Sequence, residues 1–213
     1  MAECLAGPGE PLADHLLGVA RCVAKRGTAV AKKLSRQFKI GESEAMDMLV
    51  FAALAHDVGK ADAKYRGATE YFPHHQVKST AFVKRVFQEL GLLIDCDMGG
   101  SAADLAKAVL AAVALHHYAH KDPKKAPPAE ELAPMCPEVA EAFKQWEPLS
   151  PLGKALRAKA IDVSISYVPR TTCYNDVIRT LPNIGIRLRY AIMAILGVLN
   201  KCDYEVAKSM RLS

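Results

Sequence analysis

The sequence predicts an all-α protein of one domain, residues 1–213. Hydrophobic residues make up 51% of the chain and aromatic residues only 7%, a balance that suits packed helices better than a sheet sandwich. Apolar residues recur at steps of three and four along most of the chain, which is the period of an amphipathic helix. A chain of 213 residues lies within the size range of one domain and can bury a sizeable core.

Three helices are predicted in the first part of the chain. The first covers residues 11–26, where apolar residues recur at helical spacing: Leu12, Leu16, Val19 and Val23. The second covers residues 28–38. The third has Ser43 as its N-cap and ends at His56-Asp57 after a run of apolar residues. The imidazole and the carboxylate are therefore expected together, at the end of a buried element.

The stretch His56-Asp57-Val58-Gly59-Lys60 carries the most chemistry in the sequence. An unpaired buried carboxylate costs several kcal/mol, and a divalent cation held by neighbouring His and Asp side chains removes that cost. Gly59 is expected at a helix C-terminus with a positive φ. Lys60 follows the turn, where its ammonium can meet an anion bound at the metal.

Two further helices are predicted in the middle of the chain. Pro73 opens a helix on which one face collects these residues: His75, Ser79, Phe82, Val86 and Leu90. Ser101 and Asp104 form a capping signature for the next helix, which ends at His116 and His117.

A basic, proline-rich loop is predicted at about 118–137, with three lysines near its start: Lys121, Lys124 and Lys125. Ser150 and Pro151 then begin a helix that runs to about Tyr167, whereas the pattern at 168–182 is ambiguous. The last helix has a stripe that contains one carboxylate: Leu188, Ile192, Ile195, Leu199, Asp203 and Val206. A carboxylate on an apolar stripe requires a partner.

Charge and cysteine usage restrict the class of protein. The net charge of +5 and the pI near 8.8 are compatible with a polyanionic partner. The six cysteines form no C-x-x-C pair, so a thiolate zinc site is not expected. Residues 1–10 lack the features of a signal peptide, and no apolar run is long enough to span a bilayer. We therefore expect a soluble, cytoplasmic protein with reduced cysteines and no membrane partner.

Five of the seven histidines fall on inward-facing helical positions: His15, His56, His75, His116 and His117. One buried histidine is more often a hydrogen-bonded core residue than a ligand. Five of them, together with Asp57 and Asp203, would need an improbable set of mutual hydrogen bonds. The set therefore predicts a metal site. His74 and His120 are expected in loops or at the surface.

The order H…HD…H…HH…D resembles the HD superfamily of metal-dependent phosphohydrolases. Within it, the chain is most similar to the CRISPR-associated HD nuclease, the HD part of the type I effector helicase-nuclease, over nearly its whole length. Gln76 stands where that family often has Glu. His74 precedes His75, so either could be the third-motif ligand; His75 is preferred because Ser79 follows it in the family's H-x-x-x-S spacing. The sequence has no G-x-x-x-x-G-K-[ST] motif, so a helicase would be a separate subunit.

This resemblance implies a compact helical HD domain that hydrolyses phosphodiester bonds of single-stranded DNA, possibly RNA, in CRISPR interference. The implied partners are that nucleic acid, a helicase subunit and the CRISPR effector complex. The first metal ion would be held by His15, His56, Asp57 and Asp203. The second would be held by Asp57, His75, His116 and His117. Two ions about 3.5–4 Å apart can activate water and stabilise both oxygens of an in-line displacement.

Asp57 and Lys60 are the predicted catalytic residues, the first as the carboxylate that bridges the ions and the second as a cation for the phosphate. The ligands suit manganese, magnesium, iron, nickel or cobalt, and the order of affinities does not choose among them. The three lysines of the predicted loop, Lys121, Lys124 and Lys125, are candidates for binding the nucleic-acid backbone.

Two other functions agree with the sequence. An HD-type nucleotide or cyclic-nucleotide phosphohydrolase would have a closed pocket with base-specific contacts and would not cleave polymers. A non-catalytic assembly subunit would use its metal only to stabilise the fold, and its sites would be closed and coordinatively saturated.

Overall fold

The computed structural model describes residues 4–98, 104–117, 135–166, 168 and 171–211. These residues contain nine α-helices and one two-stranded antiparallel sheet, which confirms the all-α class. The strands are β1 (Leu5–Gly7) and β2 (Glu10–Pro11). The helices are α1 (Leu12–Arg26), α2 (Thr28–Phe38), α3 (Glu42–Ala55), α4 (His75–Glu89), α5 (Leu105–Leu115), α6 (Pro137–Lys144), α7 (Pro151–Ser164), α8 (Cys173–Thr180) and α9 (Ile186–Met210). No helix in the described ranges is both long enough and apolar enough to cross a membrane.

The helices predicted from strong apolar stripes are confirmed in α1, α2, α3, α4, α5, α7 and α9. Short elements were not predicted: the hairpin of β1 and β2, and the eight-residue helices α6 and α8. Eight residues make only about two helical turns, so few apolar positions recur and the period is not recognisable. Most of the predicted loop at 118–137, with Lys121, Lys124 and Lys125, lies outside the described residues.

Two predicted caps are wrong. Helix α3 begins after Gly41, whose backbone N–H donates to Glu44 Oε2 at 2.9 Å, so Ser43 is not its cap. Helix α5 is capped by Asp104, whose Oδ1 accepts from the backbone N–H of Ala106 at 2.8 Å, whereas the expected cap, Ser101, lies outside the described residues. In both cases a carboxylate satisfies an orphan N–H of the first helical turn.

The hydrophobic core surrounds α3, which is buried along most of its length. It packs against α1, α2, α5 and α7. Phe51 of α3 lies at ring-centroid distances of 5.3 Å from Phe87 and 6.1 Å from Phe143, within the range of favourable aromatic pairs. This packing holds the C-terminal end of α3, and with it His56 and Asp57, in the interior.

Gly59 is required for a reason that differs from the prediction. The described glycines with a positive φ are Gly9, Gly67 and Gly91. Gly59 is not one of them, so the expected left-handed helix end is wrong. A Cβ at this position would lie 2.0 Å from the carbonyl oxygen of His75. The Gly59 N–H also donates to Ser79 Oγ at 2.9 Å. Glycine therefore lets the 3₁₀ turn Val58–Ala61 approach α4 closely, which brings His75 beside Asp57.

The expectation of reduced cysteines is wrong. The structure pairs all six as disulfides: Cys4–Cys136, Cys22–Cys202 and Cys96–Cys173. The pairs are separated by 132, 180 and 77 residues in the sequence, so no local spacing indicates them. Cys22–Cys202 joins α1 to α9.

Candidate metal centre

The seven predicted ligands come from five separate parts of the chain and meet at the C-terminal end of α3. His56 and Asp57 follow the last residue of α3, and His116 and His117 follow the last residue of α5. The other three lie within helices: His15 in α1, His75 at the start of α4 and Asp203 in α9. Most of these side chains are buried; Asp203 is 26% exposed. The structure brings His75, not the adjacent His74, into this cluster.

The ligand atoms form two groups of four that share Asp57, and within each group all atoms lie within 4.8 Å of one another. We define the first group as His15, His56, Asp57 and Asp203. We define the second group as Asp57, His75, His116 and His117. This is the division that the family resemblance implies, and the role of these residues as ligands stays a prediction.

Each carboxylate oxygen of Asp57 faces one group. Oδ1 lies 3.0 Å from Nε2 of His75 and 3.2 Å from Nε2 of His116, both in the second group. Oδ2 lies 3.5 Å from Nε2 of both His15 and His56, in the first group. The carboxylate can therefore touch one cation on each side.

Three of the imidazoles are oriented by the main chain in the same way. Nδ1 of His56, His75 and His116 lies 2.6–2.7 Å from the carbonyl oxygen three residues earlier. A carbonyl only accepts hydrogen bonds, so Nδ1 carries a proton in each ring, and in a neutral ring Nε2 has the lone pair that can bind a metal. At the ends of α3 and α5 these carbonyls lack helical partners, which makes them available.

His15 lies inside α1, where the backbone carbonyls accept hydrogen bonds from backbone N–H groups of the same helix. Its imidazole is therefore oriented by a side chain. Nδ1 of His15 donates to Glu10 Oε1 at 2.6 Å, and both residues are almost fully buried. Glu10 was not predicted. Its only signal in the sequence is a carboxylate shortly before an apolar helix that contains a histidine. A carboxylate behind a histidine is a common partner of metal-binding imidazoles.

The donor chemistry of the site fits metal ions. With Nδ1 protonated, Nε2 of His75 and of His116 turns a lone pair toward Oδ1 of Asp57, which is itself an acceptor. Two acceptors at about 3 Å repel each other unless a proton or a cation lies between them. Imidazole nitrogen and carboxylate oxygen are ligands for borderline and hard divalent ions, and all seven residues supply one of these two.

The first group contains two carboxylates beside a histidine with a raised pKa. Burial lowers the pKa of His15, but Asp203, Glu10 and Asp57 outweigh that effect and raise the pKa to about 9. Burial raises the pKa of Asp203, and His15 and His56 outweigh it, so the pKa lies well below its ordinary value. Without a metal ion, a proton on His15 therefore serves as a counter-cation for the ionised carboxylates at neutral pH.

The second group places three imidazoles around the shared carboxylate, and two of them have lowered pKa values. Burial, with nearby His116, lowers the pKa of His117 to about 2. Burial likewise lowers the pKa of His75, although Asp57 opposes it. Burial raises the pKa of Asp57, but Lys60 and neighbouring histidines outweigh it and hold that pKa well below its ordinary value. Asp57 is therefore ionised and available to both groups.

Lys60 is closer to Asp57 than the sequence predicts. Its Nζ lies 2.7 Å from Oδ2 of Asp57 and donates to the carbonyl of Ala6 at 2.9 Å. The ammonium thus occupies the edge of the first group, and its side chain is 12% exposed. Its contact with a phosphate stays a prediction.

A cavity of about 240 Å³ opens onto both groups. Besides predicted ligands, its lining includes three polar residues that no sequence motif indicates: Asn200, Tyr204 and Arg211. Asn200 and Tyr204 lie on the side of α9 that presents Asp203, and Arg211 follows the last residue of that helix. The spacing of Asn200 and Tyr204 around Asp203 is the only signal that could have identified them.

The chain is similar to known proteins. The family model of the Cas3 HD domain matches residues 5–164, more than half of the chain. No curated protein matches the sequence.

Three solved structures are similar to the chain. The CRISPR-associated Cas3 HD domain protein from Methanocaldococcus jannaschii has 18% identity over 95% of this chain and 100% of its own, with a TM-score of 0.48. A CRISPR-associated protein has 19% identity over 96% of this chain and 22% of its own, with a TM-score of 0.47. The Thermus thermophilus cas3 HD domain, solved in the presence of Ni²⁺, has 18% identity over 94% of this chain and 85% of its own, with a TM-score of 0.39. Because these TM-scores are below 0.5, the family assignment depends on the family model alone.

Proposed function

The chain belongs to the Cas3 HD-domain family, and from this premise we propose that it hydrolyses phosphodiester bonds of single-stranded DNA, possibly RNA, in CRISPR interference. The family implies a metal-dependent hydrolase of the nuclease type. We propose in addition that residues 1–213 form one HD domain and that the site holds two divalent ions. Manganese, magnesium, iron, nickel and cobalt all suit its ligands.

The observation that supports two ions is the pair of contacts made by the Asp57 carboxylate. One oxygen faces two imidazole nitrogens of the second group, and the other faces two of the first group. The first ion would be held by His15, His56, Asp57 and Asp203. The second would be held by Asp57, His75, His116 and His117. Such a pair of ions supplies Lewis acidity for activating water and for stabilising the attacking and leaving oxygens of a phosphodiester.

The residues of the chain have separate tasks in this scheme. Asp57 fixes the two groups relative to each other, and the Nδ1 hydrogen bonds fix the ring orientations. Lys60 carries the positive charge nearest to the shared carboxylate. When a phosphate enters, its ammonium can turn from Oδ2 of Asp57 to a phosphate oxygen and offset the charge that develops there.

We propose that a separate helicase subunit supplies single strands to this site and that both act with the CRISPR effector complex. The chain itself lacks the phosphate-binding motif of P-loop helicases. We propose a cytoplasmic location, where the nucleic acid and these partners are found. Paired cysteines are rare in that compartment but are known in intracellular proteins of hyperthermophiles.

Titration of the metal-depleted protein with single divalent ions tests the function. The substrates are labelled single-stranded DNA, duplex DNA, RNA and free nucleotides at equal concentration. We expect cleavage of single-stranded DNA, and of duplex DNA only after strand separation. Binding isotherms on the same samples should reach two ions per chain.

The same experiment distinguishes the alternatives. Hydrolysis of nucleotides or cyclic nucleotides without cleavage of any polymer would identify a small-molecule phosphohydrolase. Metal uptake that raises the unfolding temperature but supports no hydrolysis with any of the five ions would identify a structural metal site in an assembly subunit.

A further inference from the structure

A second cavity lies beside the metal centre along α9. It has a volume of about 310 Å³, at the lower end of the roughly 300–1,000 Å³ typical of ligand sites. Its lining is almost entirely apolar, and Arg189 is the one charged residue among the described lining residues. The walls include Leu115, Ile184, Ile192, Met193 and Leu196. We call it the apolar cavity.

The apolar cavity and the metal centre are consecutive along one side of α9. Residues 189, 192, 193 and 196 line the cavity, and residues 200, 203, 204 and 207 line the metal centre. These positions follow each other at steps of one, three and four, which places them on one stripe of the helix. At the end of α5 the two sites are also adjacent, because Leu115 lines the cavity and His116 lines the metal centre.

The distance between the two sites suits a short piece of nucleic acid. Asp203 is ten positions after Met193, which corresponds to about 15 Å along a helix that rises 1.5 Å per residue. This corresponds to about four nucleotides at the 3.4 Å spacing of stacked bases, and to fewer in an extended strand.

Exposed apolar and cationic side chains surround this stripe. Met193, at the edge of the apolar cavity, is 62% exposed, and Tyr204, at the edge of the metal centre, is 67% exposed. Large exposed apolar side chains next to a cavity indicate a binding surface more often than isolated ones do. Arg189, which lines the apolar cavity, is exposed and carries positive charge.

We infer that the apolar cavity is a base-binding subsite for the strand whose phosphodiester bond reaches the metal centre. The inference rests on the proposed function and names the residues that hold the strand. A base enters the apolar cavity, Arg189 pairs with a neighbouring phosphate, and Tyr204 stacks with a base beside the metal centre. Single-strand binding sites combine these two features, a positive groove and apolar or aromatic platforms that accept any base.

Continuity with the metal centre favours nucleic acid over a protein as the occupant. A single strand that reaches the metal centre along α9 also passes the apolar cavity, since both sites lie on one stripe. The apolar wall suits a base, and Arg189 beside it suits the phosphate joined to that base. The net charge of +5 agrees with an anionic ligand.

Two matched pairs of variants test the inference. Met193→Glu is compared with Ile186→Glu, because both residues are 62% exposed on α9 and only Met193 lines the apolar cavity. Arg189→Ala is compared with Arg187→Ala, because both are exposed and only Arg189 lines it. Affinity for an eight-nucleotide single strand is measured on metal-depleted protein, so that cleavage is not required. Circular dichroism and thermal unfolding verify that each variant is folded.

We expect Met193→Glu and Arg189→Ala to weaken binding by about tenfold or more, the size of one lost base contact, and the two control variants to stay within about twofold of wild type. Strands with one abasic position at a time provide the second measurement. In the wild type, one position should lose affinity when its base is removed. In Met193→Glu, removal of the base at that position should not change the affinity further, because the substitution has already disrupted the site that binds this base.

Equal affinities of Met193→Glu and Ile186→Glu for the strand would overturn the subsite. So would an abasic pattern that Met193→Glu does not change. In either case, cleavage by the wild type would still support the proposed function. A wild type that shows the expected abasic pattern but cleaves with none of the five ions would retain the subsite and contradict the function. Loss of helicase-subunit binding in Met193→Glu, with DNA affinity unchanged, would assign the cavity to a protein and also overturn the inference.

Discussion

The two ligand groups share Asp57 but differ in how the chain builds them. The first group combines a histidine inside α1 with a carboxylate in α9, so it joins the two ends of the described chain. The second group uses residues at the start of α4 and directly after α5. Cys22–Cys202 joins α1 to α9, whereas among the described residues no disulfide joins α4 to α5. A covalent link therefore joins the two helices that carry His15 and Asp203 in the first group, whereas the second group depends on packing, including the close approach at Gly59.

The groups also differ in charge. The first contains two carboxylates, Asp57 and Asp203, and a histidine that holds a proton when no metal is bound. The second has three imidazoles, of which His75 and His117 have lowered pKa values, and only the shared carboxylate. Negative charge attracts divalent cations, so we expect the first group to bind its ion more tightly. The shared carboxylate would then serve two sites of unequal affinity.

The largest effect is expected from Asp57→Ala, which removes the shared ligand and so changes both groups at once. Cleavage should fall to the background rate, because neither ion keeps its position relative to the other. Asp14→Ala is the control, since Asp14 is exposed and next to His15. Rates are measured on single-stranded DNA at equal metal concentration. Wild-type activity in Asp57→Ala would mean that the two-ion site is wrongly placed.

The comparison between groups is tested directly by Asp203→Asn and His117→Gln. Each variant loses a ligand of one group only, so each should keep one ion per chain. We expect Asp203→Asn to remove the tighter ion and His117→Gln the weaker one. Isothermal titration with manganese separates the two affinities. If both variants lose the same ion, the two groups do not act as separate sites.

A smaller loss is expected from Glu10→Gln. The glutamine can no longer accept the Nδ1 proton of His15 as an anion, so the ring is a weaker and less fixed ligand. The affinity of the first ion should fall by about 10–100-fold, the usual effect of losing such a partner, and that of the second should stay the same. Glu42→Gln, at an exposed position, is the control. An equal loss in both groups would show that Glu10 stabilises the site as a whole.

The pH dependence should also differ between groups. Since the pKa of His15 in the folded, metal-free protein is raised to about 9 from 6.5, its protonation stabilises that form fully below about pH 6.5 and ceases to do so as pH rises through about 9. Binding of the first ion must displace this proton. The apparent affinity should therefore increase from pH 7 to 9, by less than tenfold per unit.

Proton release is measured by titration in buffers of different ionisation enthalpy. The second group supplies a comparison in the same experiment, because His117, with a pKa of about 2, has no proton to lose at neutral pH. Uptake of the first ion without proton release at pH 7 would contradict the assigned charge of His15.

The smallest effect on metal binding is expected from the disulfide between α1 and α9. Cys22→Ser and Cys96→Ser should each lower the free energy of unfolding by about 2–4 kcal/mol, as loss of a native disulfide usually does. Only Cys22→Ser should also weaken the first ion, by a few-fold, because Cys202 is next to Asp203. Chemical denaturation and metal titration measure the two effects. Equal metal affinity in both variants would show that helix packing alone holds the first group.

The sequence predicts the long helices and the residues of the metal centre for the same reason. His15, His75, His116 and Asp203 fall on apolar stripes, where a polar side chain stands out against a regular period. A regular period does not predict a feature that depends on a contact between distant parts of the chain. The role of Gly59 depends on the carbonyl of His75, and the disulfide of Cys22 depends on a residue 180 positions away. Neither contact leaves a local pattern.

Glu10 is missed for a related reason, because it precedes α1 in a two-residue strand and belongs to no apolar stripe. Tyr204 and Arg211 were also outside the predicted site, since tyrosine and arginine are ordinary residues on an exposed helix face. Only their position beside Asp203 in the folded chain selects them.

The way in which the imidazoles are oriented has a consequence for how this sequence can change over generations. Carbonyl oxygens of residues 53, 72 and 113 hold three rings, and every amino acid has a carbonyl. Replacement of these residues leaves the hydrogen bonds available, provided that the new side chain fits the core. His15 depends instead on the particular side chain of Glu10. Substitutions at the positions that support three imidazoles can therefore keep those hydrogen bonds, whereas one substitution at position 10 removes the hydrogen bond of His15.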